Sequence, residues 1–369
     1  MGERQFAAKD GGGGAERITL NLIREFVGRS LKVDLILCRV EGPYLASVPD
    51  DVRIIDCDAR TSLEWRGAVE RYLTSSPPTV LLAQMEGAGI VALWARRRVG
   101  GACRVVVTSH TVFSRHADMS SSFKERWLML WFIRWFYRQA DAIIGVSKGV
   151  ADDLAGSAWL RRDRVQVIYN PVVTDELLAK ATAPLDHPWF APGAPAVILS
   201  AGRLTAPKDY PTLLRAFARL TAGREARLIV LGEGEARGSL EALARELGVA
   251  DQVFFASFVE NPFAYMARAD LFALSSAWEG LPTVLIEAMA CGTPVVATDG
   301  PSGPAEILEN GRYGRLVPVG DAGALATAMA ATLDAPPEAE SLRARAMMFH
   351  ANTVADAYLA ALGLEDVPT

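Results

Sequence analysis

The sequence predicts an α/β protein made of two doubly wound, Rossmann-like domains that face a central cleft. Its 369 residues exceed what a single hydrophobic core usually organises. Short apolar runs rich in β-branched residues alternate with helical patterns from one end of the chain to the other. A proline-rich stretch at residues 183–196 interrupts this alternation and has the composition of a linker.

Each apolar run is predicted to be a buried strand that is followed by a helix. In the first half the runs are KVDLILC, VRIIDC, TVLLAQ, RVVVTSH, AIIGVS and VQVIYN, and in the second half AVILSAG, RLIVLG, QVFFASF, LFALSS, PVVATD and GRLVPV. Strands that are covered on both faces are apolar throughout, so these runs indicate parallel sheets. We predict an N-terminal domain at residues 1–185 and a C-terminal domain at residues 186–345. Ligands of such sheets bind beyond the carboxyl ends of the strands.

The composition argues against several classes of function. A formal net charge of -5 offers no basic face to nucleic acid. No apolar run reaches the roughly 18 residues that cross a bilayer, and the first residues lack the apolar core of a signal peptide. The cysteines lie apart without a CxxC pair, so neither a zinc site nor a disulfide framework is expected. We therefore expect a cytoplasmic protein.

A glycine run at residues 11–14 opens directly into an amphipathic helical pattern. Glycines let the backbone approach a ligand closely, and the N–H groups at the start of a helix attract an anion. The glycine run is therefore predicted to bind a ligand. A flexible linker is the alternative, and the glycines alone do not exclude it.

Two cations follow the run AVILSAG. Arg203 comes directly after the predicted strand, and Lys208 lies five residues further on, just before a helical pattern. A guanidinium and an ammonium at the carboxyl end of a strand suit a diphosphate. Solvated loop cations are the plainer alternative.

The stretch SSAWEGLPTVLIEAMACG contains two glutamates around a predicted helix start. Pro282 suits the first turn of a helix, so Glu279 belongs to the preceding loop and Glu287 to the helix. Carboxylates accept hydrogen bonds from the vicinal hydroxyls of a sugar or ribose. Free N–H groups near the helix start are predicted to meet a phosphate. The residues at this point are Gly280, Leu281 and Thr283.

One histidine lies at the same kind of position in the first domain. His110 ends the run RVVVTSH, which favours a functional role over a structural one. Two other motifs are weak. Asp56 and Asp58 resemble an Asp-x-Asp metal motif without further carboxylates, so no metal is predicted there. LGEGEARG lacks the spacing of a dinucleotide loop, and we interpret it as a strand-to-helix turn.

The stretch SFKERWLMLWFIRWFYRQA is predicted to be a helix rich in Trp, Phe and Arg. Its apolar residues run nearly all round, which is typical of a buried helix. The same residues also suit a membrane interface. We favour core packing and keep peripheral contact with a membrane as the alternative.

Together these segments resemble glycosyltransferase family 4, the retaining group with the GT-B fold. The resemblance runs from GGGGAERITLNL through TSHT, ADAIIGVSKGVADDL, VIYNPV, SAGRLTAPKDYPTLLRAFA and LGEGEARGSLEALARELGV to FVENPFAYMARADLFALSSAWEGLPTVLIEAMACGTPVVATDGPSGPAEIL. It covers nearly the whole chain, and its last segment is highly specific. The phrase DGPSGPAEIL is most similar to members that build bacterial surface polysaccharides on polyprenyl-linked carriers.

The resemblance implies transfer of a sugar from a nucleotide diphosphate donor, with retained anomeric configuration. The family expectation is a UDP-hexose or UDP-N-acetylhexosamine donor and a glycan or polyprenyl-linked saccharide acceptor, used at the cytoplasmic face of the inner membrane. No metal cofactor is implied, because cations of the protein neutralise the diphosphate. The alternatives are a nucleotide-sugar epimerase or hydrolase of the same architecture, and a non-catalytic nucleotide-sugar-binding protein.

The resemblance also implies roles for single residues. The diphosphate would meet Arg203 and Lys208, the ribose Glu287, the donor sugar Glu279 and His110, the phosphates Gly13 and Gly14, and the base the backbone at Phe258 and Val259. A last helix, at residues 346–369, would cross back toward the N-terminal domain.

The start of the chain departs from the family pattern. Family members open with an apolar strand before the glycine loop, and here MGERQFAAKD stands in its place. That strand would be central in the first sheet, and its loss would leave backbone N–H and C=O groups unpaired. We therefore expect a weakened first domain.

Overall fold

The structure is a computed structural model that describes residues 14–42, 44–114 and 123–364. Its strands are β1 (Asp34–Leu37), β2 (Arg53–Asp56), β3 (Val80–Gln84), β4 (Arg104–Ser109), β5 (Ala142–Gly145), β6 (Val165–Val167), β7 (Ala196–Ala201), β8 (Ala226–Leu231), β9 (Val253–Ala256), β10 (Leu271–Leu274), β11 (Val295–Thr298) and β12 (Arg315–Val317). Each of the predicted runs contains one of these strands, except that β8 begins one residue before its run.

Helices alternate with most of these strands, except that the first helix precedes β1 and no described α-helix separates β1 from β2. They are α1 (Gly14–Gly28), α2 (Ser62–Ser75), α3 (Glu86–Val99), α4 (Phe123–Tyr137), α5 (Lys148–Ser157), α6 (Asp175–Ala181), α7 (Tyr210–Thr221), α8 (Arg237–Glu246), α9 (Pro262–Met266), α10 (Thr283–Cys291), α11 (Pro304–Ile307), α12 (Ala322–Asp334), α13 (Ala339–Ala346) and α14 (Ala351–Leu362). In the described part of the chain, no helix is long and apolar enough to cross a membrane.

The chain divides into two compact units. The first consists of Met1–Pro171 together with Ala351–Thr369, and the second is Val172–His350. The sequence boundaries were drawn at residues 185 and 345, so they differ from this division by 14 and 5 residues. The last helix, α14, belongs to the first unit.

Helices cover both faces of the parallel sheet β3-β4-β5-β6 in the first unit. On one face, Ile133 and Phe136 of α4 pack with Val107 of β4 in one buried cluster. On the other face, Leu22 of α1 and Tyr358 of α14 share a second cluster with strand residues. The helix α1 contributes at four-residue spacing, through Ile18, Leu22 and Phe26. This burial on both faces explains why the strands are apolar throughout.

The strands β1 and β2 form a separate parallel pair in the first unit. Ile36 of β1 and Leu81 of β3 nevertheless pack against the same cluster, which includes Val69 of α2 and Val91 of α3. Neither β1 nor β3 has a second strand partner among the described residues. The expectation of a poor first strand concerns residues 1–10, which lie outside the described residues.

The second unit contains one parallel sheet in the order β12-β11-β10-β7-β8-β9. The chain builds outward from β7 through β8 to β9, and then returns to place β10, β11 and β12 on the other side. The direction of winding therefore reverses between β7 and β10. In a doubly wound sheet, the crevice at the carboxyl ends of such a strand pair is where ligands bind.

Candidate functional site

The loops after β7 and β10 lie at the reversal point of the second unit. Lys208 is in the loop after β7, and Glu279 is in the loop after β10. The two strands are hydrogen-bonded neighbours, with Leu271 paired to Ile198. The fold thus brings together two residues that are far apart in the sequence and that were predicted to bind one ligand.

Hydrogen bonds fasten these two loops to each other. The Ser275 hydroxyl donates to the Lys208 carbonyl at 2.8 Å, and the Ala277 N–H donates to the Pro207 carbonyl at 2.8 Å. The neighbouring strand adds a third contact, because the Thr298 hydroxyl donates to the Ser276 carbonyl at 2.6 Å. Buried bonds of this kind hold the loops in one conformation before any ligand arrives.

The side chains of Lys208 and Glu279 form an ion pair. The Lys208 ammonium donates to Glu279 Oε1 at 2.5 Å, and the Ser276 hydroxyl donates to the same oxygen at 2.8 Å. Both side chains are mostly buried, with 20% and 16% of their surface exposed. The pairing was not predicted, since the sequence assigned Lys208 to a diphosphate and Glu279 to a sugar. In the free protein each neutralises the other.

Arg203 lies in the same loop as Lys208 but points into solvent. It is exposed, and its side chain makes no hydrogen bond or ion pair with the described residues. The loop begins at Gly202, whose φ of +148° is accessible to few residues other than glycine. An exposed guanidinium beside a fixed ammonium is a suitable arrangement for binding an arriving anion.

The helix α10 starts at the same edge of the sheet. Pro282 is its N-cap residue, and no side chain caps its first N–H groups. Gly280 and Leu281 precede it in a loop held by the Ser302 hydroxyl, which donates to the Gly280 carbonyl at 2.8 Å. Because uncapped N–H groups and the helix dipole favour an anion, the start at Thr283 suits a phosphate.

Glu287 lies within α10 and is buried, with 1% of its surface exposed. Its helix neighbours Ile286 and Ala288 are buried apolar residues. A carboxylate at a buried position is costly unless it is partnered, which sets Glu287 apart from an ordinary surface charge. Its role toward the ribose stays a prediction.

Phe258 and Val259 follow β9, at the edge of the sheet and two strands from β7. Phe258 is 75% exposed, which is unusual for so large an apolar side chain. Their predicted role toward a base stays a prediction.

A polar cluster lies at the carboxyl ends of β3 and β4 in the first unit. His110 Nε2 is 2.8 Å from Gln84 Oε1, and the Ser109 hydroxyl donates to Glu86 Oε1 at 2.5 Å. Glu86 is buried. Burial also lowers the pKa of His110 to about 4, so its imidazole is neutral at physiological pH. His110 can therefore exchange hydrogen bonds here but does not supply positive charge.

Gln84 and Glu86 of this cluster were not among the residues predicted from the sequence. The rule that singled out His110, a polar residue where an apolar run ends, applies equally to Gln84 at the end of TVLLAQ. Gly13 lies outside the described residues, and Gly14 is the exposed first residue of α1. Within the described ranges, no three His, Cys, Asp or Glu side chains come together as a metal site.

Two family models cover most of this chain. Residues 12–176 match the model described as Glycosyltransferase Family 4, and residues 185–347 match the model described as Glycosyl transferases group 1. The chain belongs to glycosyltransferase family 4. The resemblance found in the sequence is thereby confirmed.

Two curated relatives of this family 4 glycosyltransferase come from bacteria. One is the N-acetylgalactosamine-N,N'-diacetylbacillosaminyl-diphospho-undecaprenol 4-alpha-N-acetylgalactosaminyltransferase of Campylobacter jejuni, 36% identical over 183 residues that make up 50% of this chain and 48% of the relative. The other is the lipopolysaccharide core biosynthesis glycosyltransferase LpsE of Rhizobium meliloti, 36% identical over 194 residues, or 53% of this chain and 54% of the relative. The chain thus spans about half the length of the curated relatives that it matches.

The fold of this family 4 glycosyltransferase matches a solved structure over nearly its full length. Anabaena HepE in complex with UDP superposes with a TM-score of 0.78 at 20% sequence identity, over 96% of this chain and 97% of that chain. The predicted fold class, GT-B with two Rossmann-like domains, is confirmed.

Proposed function

We propose that this protein transfers a sugar from a nucleotide diphosphate donor to a glycan or lipid-linked saccharide, with retention of the anomeric configuration. The observation that carries the proposal is the Lys208–Glu279 ion pair at the reversal point of the second sheet. It combines a cation for a phosphate and a carboxylate for sugar hydroxyls at one place.

Donor binding is proposed to exchange the partner of Lys208. A diphosphate carries more negative charge than one carboxylate, so the ammonium turns from Glu279 to the phosphate oxygens. Arg203 and the first N–H groups of α10 complete the diphosphate contacts. Glu279, released from Lys208, accepts hydrogen bonds from the donor sugar.

The leaving nucleoside diphosphate is stabilised by these cations and amides, which supply the charge that a metal ion would otherwise provide. We propose that no metal cofactor is needed. No carboxylate of the chain is assigned as a covalent nucleophile, and the leaving phosphate is proposed to act as the base on the same face of the sugar. The part of His110 at the donor sugar stays a prediction.

The donor and acceptor classes are proposed from the relatives. The HepE structure contains UDP, and the Campylobacter enzyme is named for a diphospho-undecaprenol acceptor. We extend both to this chain as a UDP-hexose or UDP-N-acetylhexosamine donor and a lipid-linked saccharide acceptor, used at the cytoplasmic face of the membrane.

The deciding experiment compares Arg203→Ala and Lys208→Ala with the wild-type protein in a transfer assay with labelled nucleotide sugar. Each variant leaves diphosphate charge unmatched, so kcat/KM is expected to fall by about 100-fold or more. The matched control is Arg215→Ala, which removes an exposed arginine of α7 in the same unit. Near-normal turnover of both site variants at saturating donor would contradict the phosphate assignment.

The transfer assay, together with thermal unfolding, separates the alternative functions. Conversion of the donor without acceptor would indicate an epimerase or hydrolase. A nucleotide sugar that raises the Tm without transfer to any acceptor would indicate a binding protein, because a ligand of the native state stabilises it regardless of turnover.

A further inference from the structure

The helix α4 of the first unit presents large apolar side chains to solvent. Leu128, Trp131 and Trp135 are 55%, 54% and 51% exposed and follow one another at helical spacing. The opposite side of α4 is buried, with Ile133 and Phe136 in the core cluster. Core packing is therefore confirmed for one face of α4, whereas the other face does not pack in the core.

The exposed rings are contiguous and are accompanied by guanidinium groups. Trp131 stacks on Trp135, with ring centroids 5.9 Å apart and planes at 12°. The guanidinium of Arg97 lies 6.0 Å from the centre of the Trp135 ring. The guanidinium of a second arginine, Arg134, lies 4.8 Å from the centre of the Trp159 ring. Trp159 is itself 49% exposed.

A small cavity next to Trp159 extends this surface. It has a volume of about 210 Å³ and is lined by the arginines 138, 161 and 164 together with Ile143, Trp159 and Leu160. Arg164 donates to the Ala140 carbonyl at 3.1 Å, and Arg161 pairs with Asp163. The cavity exceeds the roughly 30 Å³ that one water occupies, so a phosphate-sized anion fits into it.

The surface carries cations that have no carboxylate partner. Arg97, Arg98, Arg134 and Arg138 form no ion pair within the described part of the chain. Neighbouring Arg96 does pair, with Asp141. The chain as a whole has a net charge of -5, so this local excess of positive charge runs against its composition. We define the aromatic–arginine face as residues 97, 98, 128, 131, 134, 135, 138 and 159, with the adjoining cavity.

We propose that the aromatic–arginine face binds the anionic surface of a phospholipid bilayer. Indole rings settle at the boundary between headgroups and acyl chains, where their apolar body and polar N–H are both satisfied. The arginines then contact lipid phosphates, one of which occupies the cavity beside Trp159. A protein partner would need complementary carboxylates, whereas a bilayer offers a dense layer of negative charge to all four unpaired arginines. The proposal does not depend on the transfer reaction.

The test is sedimentation of the full-length protein with vesicles, without donor or acceptor. Vesicles of phosphatidylcholine with roughly 30% phosphatidylglycerol should bind the protein at about 0.1 M salt, and pure phosphatidylcholine should bind it weakly. Raising the salt to about 0.5 M should reduce binding, because the Debye length shortens. Inorganic phosphate at matched ionic strength should compete little, which distinguishes a lipid surface from a free-phosphate site.

Variants locate the binding face. Trp131→Ser with Trp135→Ser should lower the partition coefficient by about 10-fold or more, since both rings leave the interface. Arg134→Gln with Arg138→Gln should lower it by about fivefold for each arginine. The matched controls are Leu63→Ser, at a residue 63% exposed on α2, and Arg60→Gln, an exposed arginine of the same unit. Both controls should bind like the wild type.

Three outcomes would overturn the proposal. The first is equal affinity for zwitterionic and anionic vesicles, and the second is wild-type binding by both double variants with unchanged circular dichroism. The third is loss of a dimer in light scattering by the tryptophan variant, with no vesicle binding by the wild type, which would make the face a contact between two copies of the chain.

Discussion

At the scale of single residues, the Lys208–Glu279 pair explains how a charged site persists without ligand. Two nearly buried charges beside an apolar helix would each be costly alone, and together they compensate. In the proposed function, the carboxylate that holds the ammonium would compete with the incoming diphosphate. Donor affinity would then be set by an exchange between two anions at one cation.

The exchange predicts opposite effects of Glu279→Gln on binding and on turnover. Without the carboxylate, Lys208 is free for the diphosphate, so UDP should bind several-fold more tightly, by about 1 kcal/mol. Turnover should fall by about 10-fold or more, because the sugar loses its contact. Calorimetric titration with UDP and steady-state kinetics measure the two effects. Glu246→Gln, at an exposed glutamate of α8, is the control and should change neither.

His110 makes a prediction about pH. Its pKa in the folded protein is about 4, below the value of about 6.5 in an unfolded chain, so the unfolded state binds the extra proton first as pH falls. The free energy of unfolding should be unaffected by this group above pH ~6.5 and decline between pH ~6.5 and ~4, by up to about 1.4 kcal/mol per pH unit.

Urea unfolding of wild type and His110→Gln across this range measures the effect. The variant retains a side chain that can hydrogen-bond to Gln84 but has no titrating ring. The free energy of unfolding of the variant should therefore depend less steeply on pH in that window, by the equivalent of up to one bound proton. Parallel curves would show that His110 titrates normally in the folded protein.

At the scale of elements, the two glycine turns of the second unit explain why the Lys208 loop sits where it does. A Cβ on Gly232 would lie 2.1 Å from the Gly202 carbonyl oxygen, and Gly232 has a φ of +142°. The turn after β8 therefore supports the turn after β7 by direct backbone contact. The weak motif LGEGEARG is a strand-to-helix turn, as predicted, but it also buttresses the site.

Gly232→Ala is expected to displace the loop that carries Arg203 and Lys208. The free energy of unfolding should fall by about 1 to 3 kcal/mol from strain and overpacking, and UDP affinity should fall with it. Thermal unfolding with and without UDP measures both. Gly223→Ala is the control, since a Cβ there meets no atom within 4 Å. Equal behaviour of the two variants would contradict the buttressing role.

Much of the fold was predictable from the sequence, and the reason is burial. Strands such as β5 and β10 are buried at every position, so their sequences are apolar without alternation and easily recognised. The Lys208–Glu279 pair was not predictable, because the two residues are 71 positions apart in the sequence and meet only through the packing of their loops. Gln84 ends the run TVLLAQ, so the rule that singled out His110 could have found it, but its contact with His110 was not predictable because the two residues lie 26 positions apart in the sequence.

At the scale of the whole molecule, the end of the chain stabilises its beginning. Tyr358 of α14 is fully buried, and α14 packs with α1 in the first unit. Arg29, which directly follows α1, also bonds to Asp356 and Asn352 of α14. The tail that follows the second unit is thus part of the first.

Tyr358→Ala should lower the unfolding temperature of the first unit and spare the second. The loss of a buried aromatic ring costs about 3 to 5 kcal/mol. UDP should still stabilise the second unit, by about 2.7 kcal/mol at a hundred times its Kd. Differential scanning calorimetry with and without UDP resolves the two transitions, and Thr353→Ala, at an exposed position of α14, is the control. If the variant lost UDP binding together with the first unfolding transition, the expectation that the second unit binds UDP without the first would be wrong.

The division of the first unit's strands into a pair and a sheet of four has a consequence for the protein in solution. Among the described residues, β1 and β3 each end a ladder, so each has a row of amide and carbonyl groups without a neighbouring strand. Such rows are templates for an added strand, from the same chain or from another copy. Their amide protons should exchange with solvent sooner than those of β4 and β5. In the second unit the sheet is continuous from β12 to β9, so its inner strands have neighbours on both sides and are closed to strand addition.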